Sequence, residues 1–490
     1  AYQEDNKLDA ITTTTLTAEP IKDVLKVSAD FTYKAIRSKK DRLSPTQTGY
    51  TTAGEPHEYN PNSYKSHWTY DTDYVASNIV ATWTPKLGEN HNLNVVGGWN
   101  IEKTKYRNTY LQRRGILYPS LPSFELMDSS EYNVSDGGYD KSMVGIFGRI
   151  NYTLLNRYIF EFAARYDGSS LFPTNQQWGF FPSGSIGWRI SEEKFMENAK
   201  NWLDNLKIRA SVGTAGNGNA SPYSYLSTVA ISKNNSFLVG GSPLIYAGKP
   251  SLVPDGLTWE KATTYDLGID LEMLNGRLSI VGDIYRKKTT DMIVVGPELP
   301  AVFGNAAPKG NYADMRTDGW EASISWRDNI KLGGKDFSYN LKFAFWDNTS
   351  KITRYTATTN TLPTNYTTNY YEGMTLGELW GYTCNGLFQS NEEAQTYADY
   401  SKFTIDKVVW QKGDPKFEDI NGDGKVNNGA NRLEDHGDLK KIGNTTPRYC
   451  YSIAAGARWN GIGLSMLWQG VGQRDWYPAK ESGYFWGQYG

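Results

Sequence analysis

The stretch VGIFGRINYTLLNRYIFEFAARYD, residues 144–167, decides the fold class of this chain. It contains two runs of alternating side chains, one on each side of a tight connection at residues 154–157. Side chains in a β-strand alternate between faces, so the two runs predict a hairpin. One face carries the apolar, small and aromatic residues Val144, Ile146, Gly148, Ile150, Tyr152, Tyr158, Phe160, Phe162, Ala164 and Tyr166. In the second strand, the other face carries Glu161, Arg165 and Asp167.

This hairpin fits two environments. Each strand has about ten residues, the length that a tilted strand needs to cross a bilayer. A charged row suits a water-filled lumen, and an apolar row that ends in Tyr suits lipid and its interface. A soluble β-sandwich or barrel also alternates, so the hairpin by itself leaves both a membrane barrel and a soluble fold open.

The composition narrows the possible classes of protein. The 490 residues carry 51 Lys and Arg against 53 Asp and Glu, so no basic excess points to nucleic acid. No apolar run is long enough for a membrane helix, and the mean hydropathy is -0.58. A β-barrel stays open, because its polar lumen and loops dilute that average. Aromatic residues make up 14% of the chain, which fits interfacial girdles and stacking surfaces. The two cysteines, Cys384 and Cys450, give neither a disulfide framework nor a metal-ligand spacing.

Alternation along the whole chain predicts about fourteen strands. Tight turns are expected at Asn275-Gly276 and Asn460-Gly461, because Asn-Gly supplies the positive φ that such a turn needs. A short helical turn is expected over residues 191–205, with Ser191 as its cap. The predicted strands are residues 8–18, 23–35, 73–85, 91–105, 144–153, 158–167, 178–190, 206–214, 260–272, 276–287, 319–327, 336–346, 447–459 and 462–472.

The lengths of the connections favour a membrane barrel over a soluble sandwich. Short turns alternate with long connections, which are predicted at residues 36–72, 106–142, 215–258, 288–317 and 347–445. Outer-membrane barrels have short periplasmic turns and long extracellular loops, whereas a sandwich has no reason to segregate its loops. The first predicted strand begins at the long-loop side and the last one ends there. We therefore expect the chain to be the middle of a longer barrel.

Nine segments resemble one known family in the order in which its members carry them. The segments are FGRINYTLLNRYIFEFAARYDGSSLF (147–172), WGFFPSGSIGWRISEEKFM (178–196), LKIRASVGTAGN (206–217), LTWEKATTYDLGIDL (257–271), YRKKTTDMIV (285–294), DMRTDGWEASISW (314–326), LWGYTCNGLFQSNEEA (379–394), GDPKFEDINGDGKV (413–426) and IGNTTPRY (442–449). They resemble the SusC/RagA family of TonB-linked outer-membrane transporters of Bacteroidetes-type bacteria. The segment before residue 147 carries little of this signature.

The resemblance implies an all-β, transmembrane antiparallel barrel of about 22 strands in the full protein, of which about 14 are covered here. Residues 1–490 would all belong to one barrel domain. The plug domain, the segment that contacts TonB and the remaining N-terminal and C-terminal strands would lie outside this sequence. The localisation implied is the outer membrane, with many crossings of the lipid bilayer.

The resemblance also implies a function. Members of this family import oligosaccharides or peptides with energy from the TonB complex, and a SusD-like surface lipoprotein acts as a lid. A dimer of the two-protein complex is left open. Two alternatives remain: a passive porin-like channel complete at about fourteen strands, and a secreted all-β carbohydrate-binding protein or enzyme. An enzyme is not expected, because no pair of carboxylates and no histidine has catalytic spacing.

Four aromatic residues in the longest connection are candidates for substrate binding. Trp380, Tyr382, Phe388 and Trp410 could stack on sugar rings or pack against a lid protein. The alternative is that they form the small core that a compact surface loop needs, and this is the interpretation we favour for any single residue.

The segment DINGDGKV, residues 419–426, is a candidate calcium loop. Asp419, Asn421 and Asp423 would supply side-chain oxygens, and Lys425 its carbonyl oxygen. The twelfth position is Ala430 instead of a bidentate Glu, and Glu434, Asp435 and Asp438 are the possible substitutes. The alternative is a turn rich in Asp, Asn and Gly that holds no ion. No other cofactor is expected.

Charged residues of the strands are candidates for the lumen wall. They could line the substrate path or hold a plug, and the alternative is cross-strand ion pairing on a wet wall. These residues are Arg149, Glu161, Arg165, Asp167, Arg209, Asp266 and Asp270.

Overall fold

The structure is a computed structural model. It describes residues 2–58, 62–128, 132–356, 361–363, 369–400 and 409–476, apart from the side chains of residues 233–237. Among the described residues, fourteen antiparallel strands form one sheet, and their hydrogen-bonded order is their order in the chain. They are β1 (Tyr2–Ile21), β2 (Leu25–Ser44), β3 (Tyr64–Trp83), β4 (His91–Arg114), β5 (Tyr132–Leu154), β6 (Tyr158–Ser169), β7 (Trp178–Arg189), β8 (Leu203–Asn217), β9 (Glu260–Met273), β10 (Leu278–Val295), β11 (Lys309–Leu332), β12 (Lys335–Tyr355), β13 (Arg448–Trp459) and β14 (Ile462–Gln473).

Smaller elements lie in the connections between these strands. They are the two-stranded sheets Thr48–Tyr50 with Pro56–Glu58, Val229–Val239 with Ser242–Pro250, Glu378–Gly381 with Lys440–Asn444 and Cys384–Leu387 with Pro415–Phe417, the α-helix Asn391–Thr396, and the 3-10 segments Phe124–Leu126, Thr174–Gln176, Ile190–Glu192, Lys194–Ala199 and Ala301–Phe303.

Each of the fourteen predicted strands is present, but most extend beyond their predicted bounds, and the two hairpin strands predicted at about ten residues have 23 and 12. The strands have between 12 and 24 residues. β4 was predicted over 91–105 and continues to Arg114, where it still pairs with Tyr64 of β3. At the ends of these strands, main-chain hydrogen bonds continue into segments where apolar and polar residues do not alternate clearly. The long connections are therefore shorter than expected, and the one predicted at 36–72 spans only residues 45–63.

The predicted hairpin turns are confirmed. Asn275 has a φ of 56° and Gly276 of 70°, while Asn460 has 48° and Gly461 has 86°. This left-handed backbone is what Asn and Gly tolerate best at the tip of a hairpin.

The predicted helical cap at Ser191 is wrong. Two 3-10 segments follow β7, and Ser191 lies buried inside the first of them, Ile190–Glu192. β7 continues to Arg189, which takes the N-cap position without a side-chain cap. The helical turn therefore begins before the residue whose hydroxyl was expected to start it.

The first compact unit consists of Ala1–Tyr152, Ala163–Phe180 and Ala220–Ser224. In it, Arg165 lies on the charged face of the sheet. Its Nη2 donates to Asn100 Oδ1 at 2.6 Å and its Nε donates to Asp167 Oδ2 at 2.7 Å. The guanidinium also lies over the ring of Phe147, 5.4 Å from the centroid. One cation thus ties together side chains from β4, β5 and β6.

The second compact unit consists of Thr153–Phe162, Phe181–Asn219 and Tyr225–Gly490. Arg209 of β8 is the centre of a charge network there. Its Nη1 is 2.6 Å from Asp283 and 3.3 Å from Asp266, and its Nε is 3.3 Å from Asp270. Lys207 shares Asp270 at 2.6 Å. The cross-strand ion pairing expected as an alternative is therefore present at Arg209.

The opposite face of the strands is apolar and exposed. The exposed fractions of Phe162, Ile186 and Ile284 are 55%, 58% and 60%. In a soluble sandwich, such a face would be buried against a second sheet. Half of the buried hydrophobic residues that the structure describes lie instead in one connection, residues 356–447. The apolar face therefore suits lipid. Among the described helices, none is long and apolar enough to cross a membrane.

We expect Gly145→Ala to lower the free energy of unfolding by about 1–3 kcal/mol, the usual cost of overpacking. A methyl group at Gly145 would overlap the Asp167 carboxylate and would lie 2.6 Å from Asn100 Oδ1. Gly97→Ala is the matched control, because no atom lies within 4 Å of a methyl group built there. The effect is measured on a gel of detergent-solubilised protein heated to increasing temperatures. The midpoint is the temperature at which half of the protein has moved from the folded to the unfolded band. Equal midpoints for the two variants would contradict this prediction.

Candidate functional site

The connection between β12 and β13 folds on itself, and we call residues 356–447 the β12–β13 loop. Two small sheets and the helix Asn391–Thr396 give it secondary structure of its own. Ser390 Oγ accepts from Glu393 N at 3.1 Å, and Glu393 Oε2 accepts from Gln389 N at 2.7 Å. The spacing of Ser390 and Glu393 is that of a capping box, so this helix, which we did not predict, had a readable sequence signal.

Two sets of contacts hold the β12–β13 loop to its strands. Arg448 at the start of β13 donates from Nε and Nη2 to the Asp347 carboxylate of β12, at 2.6 and 2.5 Å. Farther along β12, Ile352 N donates to Met374 O and Gly373 N donates to Ile352 O, both at 2.9 Å. These bonds fix the base of the loop at the end of the sheet.

The first hydrophobic cluster of the loop surrounds Tyr371. Its buried members are Ile352, Leu362, Tyr371, Met374 and Leu439, and Trp380 and Tyr382 pack against it. Since Ile352 belongs to β12, the cluster continues directly from the sheet into the loop.

A charged group lies at the edge of this first cluster. Glu378 is buried and accepts hydrogen bonds from the Tyr371 hydroxyl, from Lys441 Nζ at 2.9 Å and from Thr375 N at 2.9 Å. Burial by itself raises the pKa of Glu378, but the bonds from Lys441, Tyr371 and Thr375 hold it below its usual range. Burial and the bond to Glu378 raise the pKa of Tyr371. The carboxylate is therefore ionised and the phenol neutral near pH 7.

The second hydrophobic cluster surrounds Phe388, whose exposed fraction is 1%. Its buried members are Phe388, Ala394, Tyr400 and Val426, and Tyr382, Tyr397, Ala398, Trp410 and Phe417 pack against it. The rings of Tyr400 and Trp410 lie 4.6 Å apart, and the Tyr400 hydroxyl donates to Phe417 O at 3.0 Å. Burial raises the pKa of Tyr400 to about 12.

The structure places the four aromatic candidates in these two clusters. Trp380 packs on the first, Phe388 and Trp410 belong to the second, and Tyr382 touches both. The rings therefore contribute to the core of the loop, and those of Trp380, Tyr382 and Trp410 stay half-buried. Substrate contact by any of the four stays a prediction.

The candidate calcium loop is folded by its own polar side chains. Asp419 accepts from the N–H groups of Gly422 and Gly424, at 2.7 and 2.8 Å. Asn421 Oδ1 accepts from Asp423 N at 3.0 Å, and Asp423 Oδ1 accepts from Lys425 N at 2.8 Å. Within the described part of the chain, no group of three His, Cys, Asp or Glu residues is arranged to hold a metal ion. Hydrogen bonds of this kind are those expected of a turn rich in Asp, Asn and Gly that holds no ion. Calcium binding stays a prediction.

Asp438 has a structural role that the sequence analysis missed. Its side chain is fully buried, and its two carboxylate oxygens accept from Ile420 N at 2.7 Å and from Asn427 N at 2.8 Å. The sequence indicates Asp438 only as a possible substitute calcium ligand. Its partners lie more than ten residues away in sequence, so no local spacing identifies this role.

The comparisons with known proteins agree on one family. The family model described as "TonB dependent receptor-like, beta-barrel" matches residues 2–489. TonB-dependent receptor P3 of Formosa agariphila is 27% identical over 409 residues, which cover 81% of this chain and 38% of that receptor. TonB-dependent receptor SusC of Bacteroides thetaiotaomicron is 30% identical over 389 residues, which cover 77% of this chain and 36% of SusC.

Solved structures share the fold. The RagAB peptide importer in its "open-open" state has a TM-score of 0.74 at 19% identity, covering 96% of this chain and 47% of that one. Its "closed-closed" state has a TM-score of 0.72 at 19% identity, covering 96% and 48%. The chain thus spans less than half the length of these relatives.

We expect the β12–β13 loop of the full-length protein to loosen in acid because of Glu378. Since the folded state lowers the pKa of Glu378, its stabilisation is complete above the unfolded-state pKa of about 4.3 and is lost as the pH falls through the lower folded-state pKa. Glu378→Gln should cost about 1–3 kcal/mol at pH 7 and remove this pH dependence. Hydrogen exchange of residues 371–380 across the pH range measures both effects.

The control for this prediction is Glu372→Gln, which changes an exposed carboxylate in the same segment. It should leave the exchange rates and their pH dependence unchanged. A Glu378→Gln variant with the acid response of the unchanged protein would show that another group causes the loosening.

Proposed function

This chain belongs to the TonB dependent receptor-like β-barrel family, with similarity to its SusC/RagA-type members, and we propose that it serves the import of oligosaccharides or peptides across the outer membrane. The family consists of outer-membrane receptors and transporters. The observation that carries the proposal is the division of the sheet into an exposed apolar face and an ion-paired charged face. Such a division suits a wall between lipid and a polar substrate path.

The proposal includes partners. A SusD-like lipoprotein would cover the extracellular side, and the TonB complex would supply energy through a segment outside this sequence. The size and internal core of the β12–β13 loop support the lid, since a stable surface is what a partner protein needs. A dimer of the two-protein complex belongs to the same proposal. A secreted carbohydrate-binding protein would not leave so much of its sheet apolar and exposed.

We propose that Trp380, Tyr382 and Trp410 contact the substrate through the parts of their rings that the clusters leave exposed. Aromatic faces bind both sugar rings and peptide side chains, so these residues do not decide between the two substrate classes. Phe388 would act through the packing of the loop, because its exposed fraction of 1% leaves no surface for a ligand.

We predict that cells with this protein take up labelled oligosaccharides or peptides only while the inner-membrane proton gradient is intact. Uptake should fall to the level of a deletion strain when the gradient is collapsed, because opening of a TonB-linked barrel needs that energy. The full-length protein, purified from outer membranes, should carry a surface lipoprotein with it. Uptake that persists without the gradient would identify a passive channel and overturn the proposal.

The same assay tests the aromatic contacts. Trp380→Ala should raise the substrate concentration needed for half-maximal uptake roughly tenfold, the loss of one stacking contact of about 1 kcal/mol or slightly more. Trp380→Phe keeps a ring in the same place and should retain most of the affinity. An alanine variant with unchanged concentration dependence would place the substrate contacts elsewhere.

We also propose that residues 419–425 bind Ca²⁺. The support is the alternation of oxygen donors at Asp419, Asn421 and Asp423, and each carboxylate can accept more bonds than the backbone N–H groups use. Calcium should slow hydrogen exchange of this segment in the purified protein. Asp423→Asn keeps an acceptor oxygen for Lys425 N but removes a charge from the loop, and it should remove the calcium effect. Identical exchange of the unchanged protein with calcium and with a chelator would exclude the ion.

A further inference from the structure

A sharp change of polarity crosses the apolar face of the sheet in the second unit. Residues paired across β9, β10 and β11 share a face, and they form rows along the strands. One row is Leu267, Ile284 and Trp320, the next is Tyr265, Arg286 and Asp318, and the third is Thr263, Lys288 and Arg316. Two rows of charged side chains thus follow directly on an apolar row that faces lipid.

These two rows lie nearer to the extracellular ends of the strands than to the short turns. The tight turn at Asn275-Gly276 closes the other end of β9 and β10, whereas Lys288 lies toward the longer connection at residues 296–308. Long connections are on the extracellular side of outer-membrane barrels. The cations therefore lie at the level of the headgroups of the outer leaflet.

A groove lies where the apolar and charged rows meet. Its volume is about 640 Å³. It is lined by Tyr265, Leu267, Ile284, Arg286, Lys288 and Asp318, and also by Ser211, Asp266 and Tyr285. The exposed fraction of Ile284 is 60%, so the apolar part of the groove is open to whatever surrounds the sheet.

The charges around the groove do not balance. Arg286 and Arg316 share one carboxylate, that of Asp318, at 2.5 and 2.8 Å. Among the described residues, no carboxylate oxygen lies within 4.0 Å of Lys288 Nζ, which lies over the ring of Tyr265 at 5.9 Å from the centroid. Three cations thus face one anion, and Lys351 on β12 extends the positive row beside Arg316. Farther along the strands, Asp291 and Asp314 are already paired with Arg354.

We propose that this groove binds a phosphorylated lipid of the outer leaflet. Its acyl chains would lie along Leu267 and Ile284, and its headgroup phosphate would accept hydrogen bonds from Arg286, Lys288 and Arg316. Clustered Lys and Arg at headgroup level attract anionic lipids, and the guanidinium fork matches the geometry of a phosphate.

The test is lipid retention by the full-length protein, extracted in mild detergent from outer membranes and exchanged with purified lipopolysaccharide. Lys288→Gln with Arg316→Gln removes two cations and leaves the pair of Arg286 and Asp318. We expect the affinity for lipopolysaccharide, measured by native mass spectrometry, to fall roughly thirtyfold, because two charges at headgroup level are lost. Lipopolysaccharide stripped of its phosphates should bind the unchanged protein and the variant equally weakly.

A matched control removes two cations at the other ends of the strands. Lys331→Gln with Lys335→Gln affects exposed residues beside the short turn between β11 and β12, and retention should not change. If the double variant fails to fold, Lys288→Gln alone serves, because it breaks no ion pair among the described residues. Equal retention by the unchanged protein and the groove variants would overturn the proposal. So would displacement of the lipid by inorganic phosphate at the same concentration, which would show a simple anion site.

Discussion

The structure depends on one constraint: a backbone surrounded by lipid has to satisfy its N–H and C=O groups within the protein. β9 and β10 show how this is met, since they pair without a break from Lys261 with Thr290 to Met273 with Leu278. In an unbroken ladder, side chains alternate between two faces, so each side chain points either to lipid or to the charged face. This alternation produces the apolar face with its exposed side chains and the charged face opposite to it.

The same constraint determines where charges and cores can be. Cations on the polar face need partners, and Arg209 finds three carboxylates across β9 and β10. A wall one sheet thick has little room for a hydrophobic core, so the buried clusters lie in the β12–β13 loop. The Asp347–Arg448 pair marks the transition from the ladder to this separately folded segment.

The sequence predicts the middle of each strand well and its ends poorly, for a physical reason. In residues 144–167 the two faces differ in polarity, so the alternation is visible. In residues 106–114, polar and charged side chains lie on both faces, and the strand continues there through main-chain hydrogen bonds that no apolar alternation indicates. Within the loop, aromatic composition pointed to a core at Phe388 and Trp410. The partners of Asp438 and Glu378 could not be predicted, because those contacts join residues that are distant in sequence.

The aromatic residues of the loop pack in its core, and the ligand contacts that we propose for them would use the same ring surfaces. A ring face that packs in a cluster is not available to a ligand, and the whole ring of Phe388 is buried. Trp380, Tyr382 and Trp410 are only half-buried, since each packs at the margin of a cluster and keeps part of its ring exposed. Margins of this kind are rigid because the cluster holds them, and a rigid aromatic surface loses little conformational entropy when a ligand binds. Packing of the loop, and the recognition that we propose for it, would therefore depend on the same side chains.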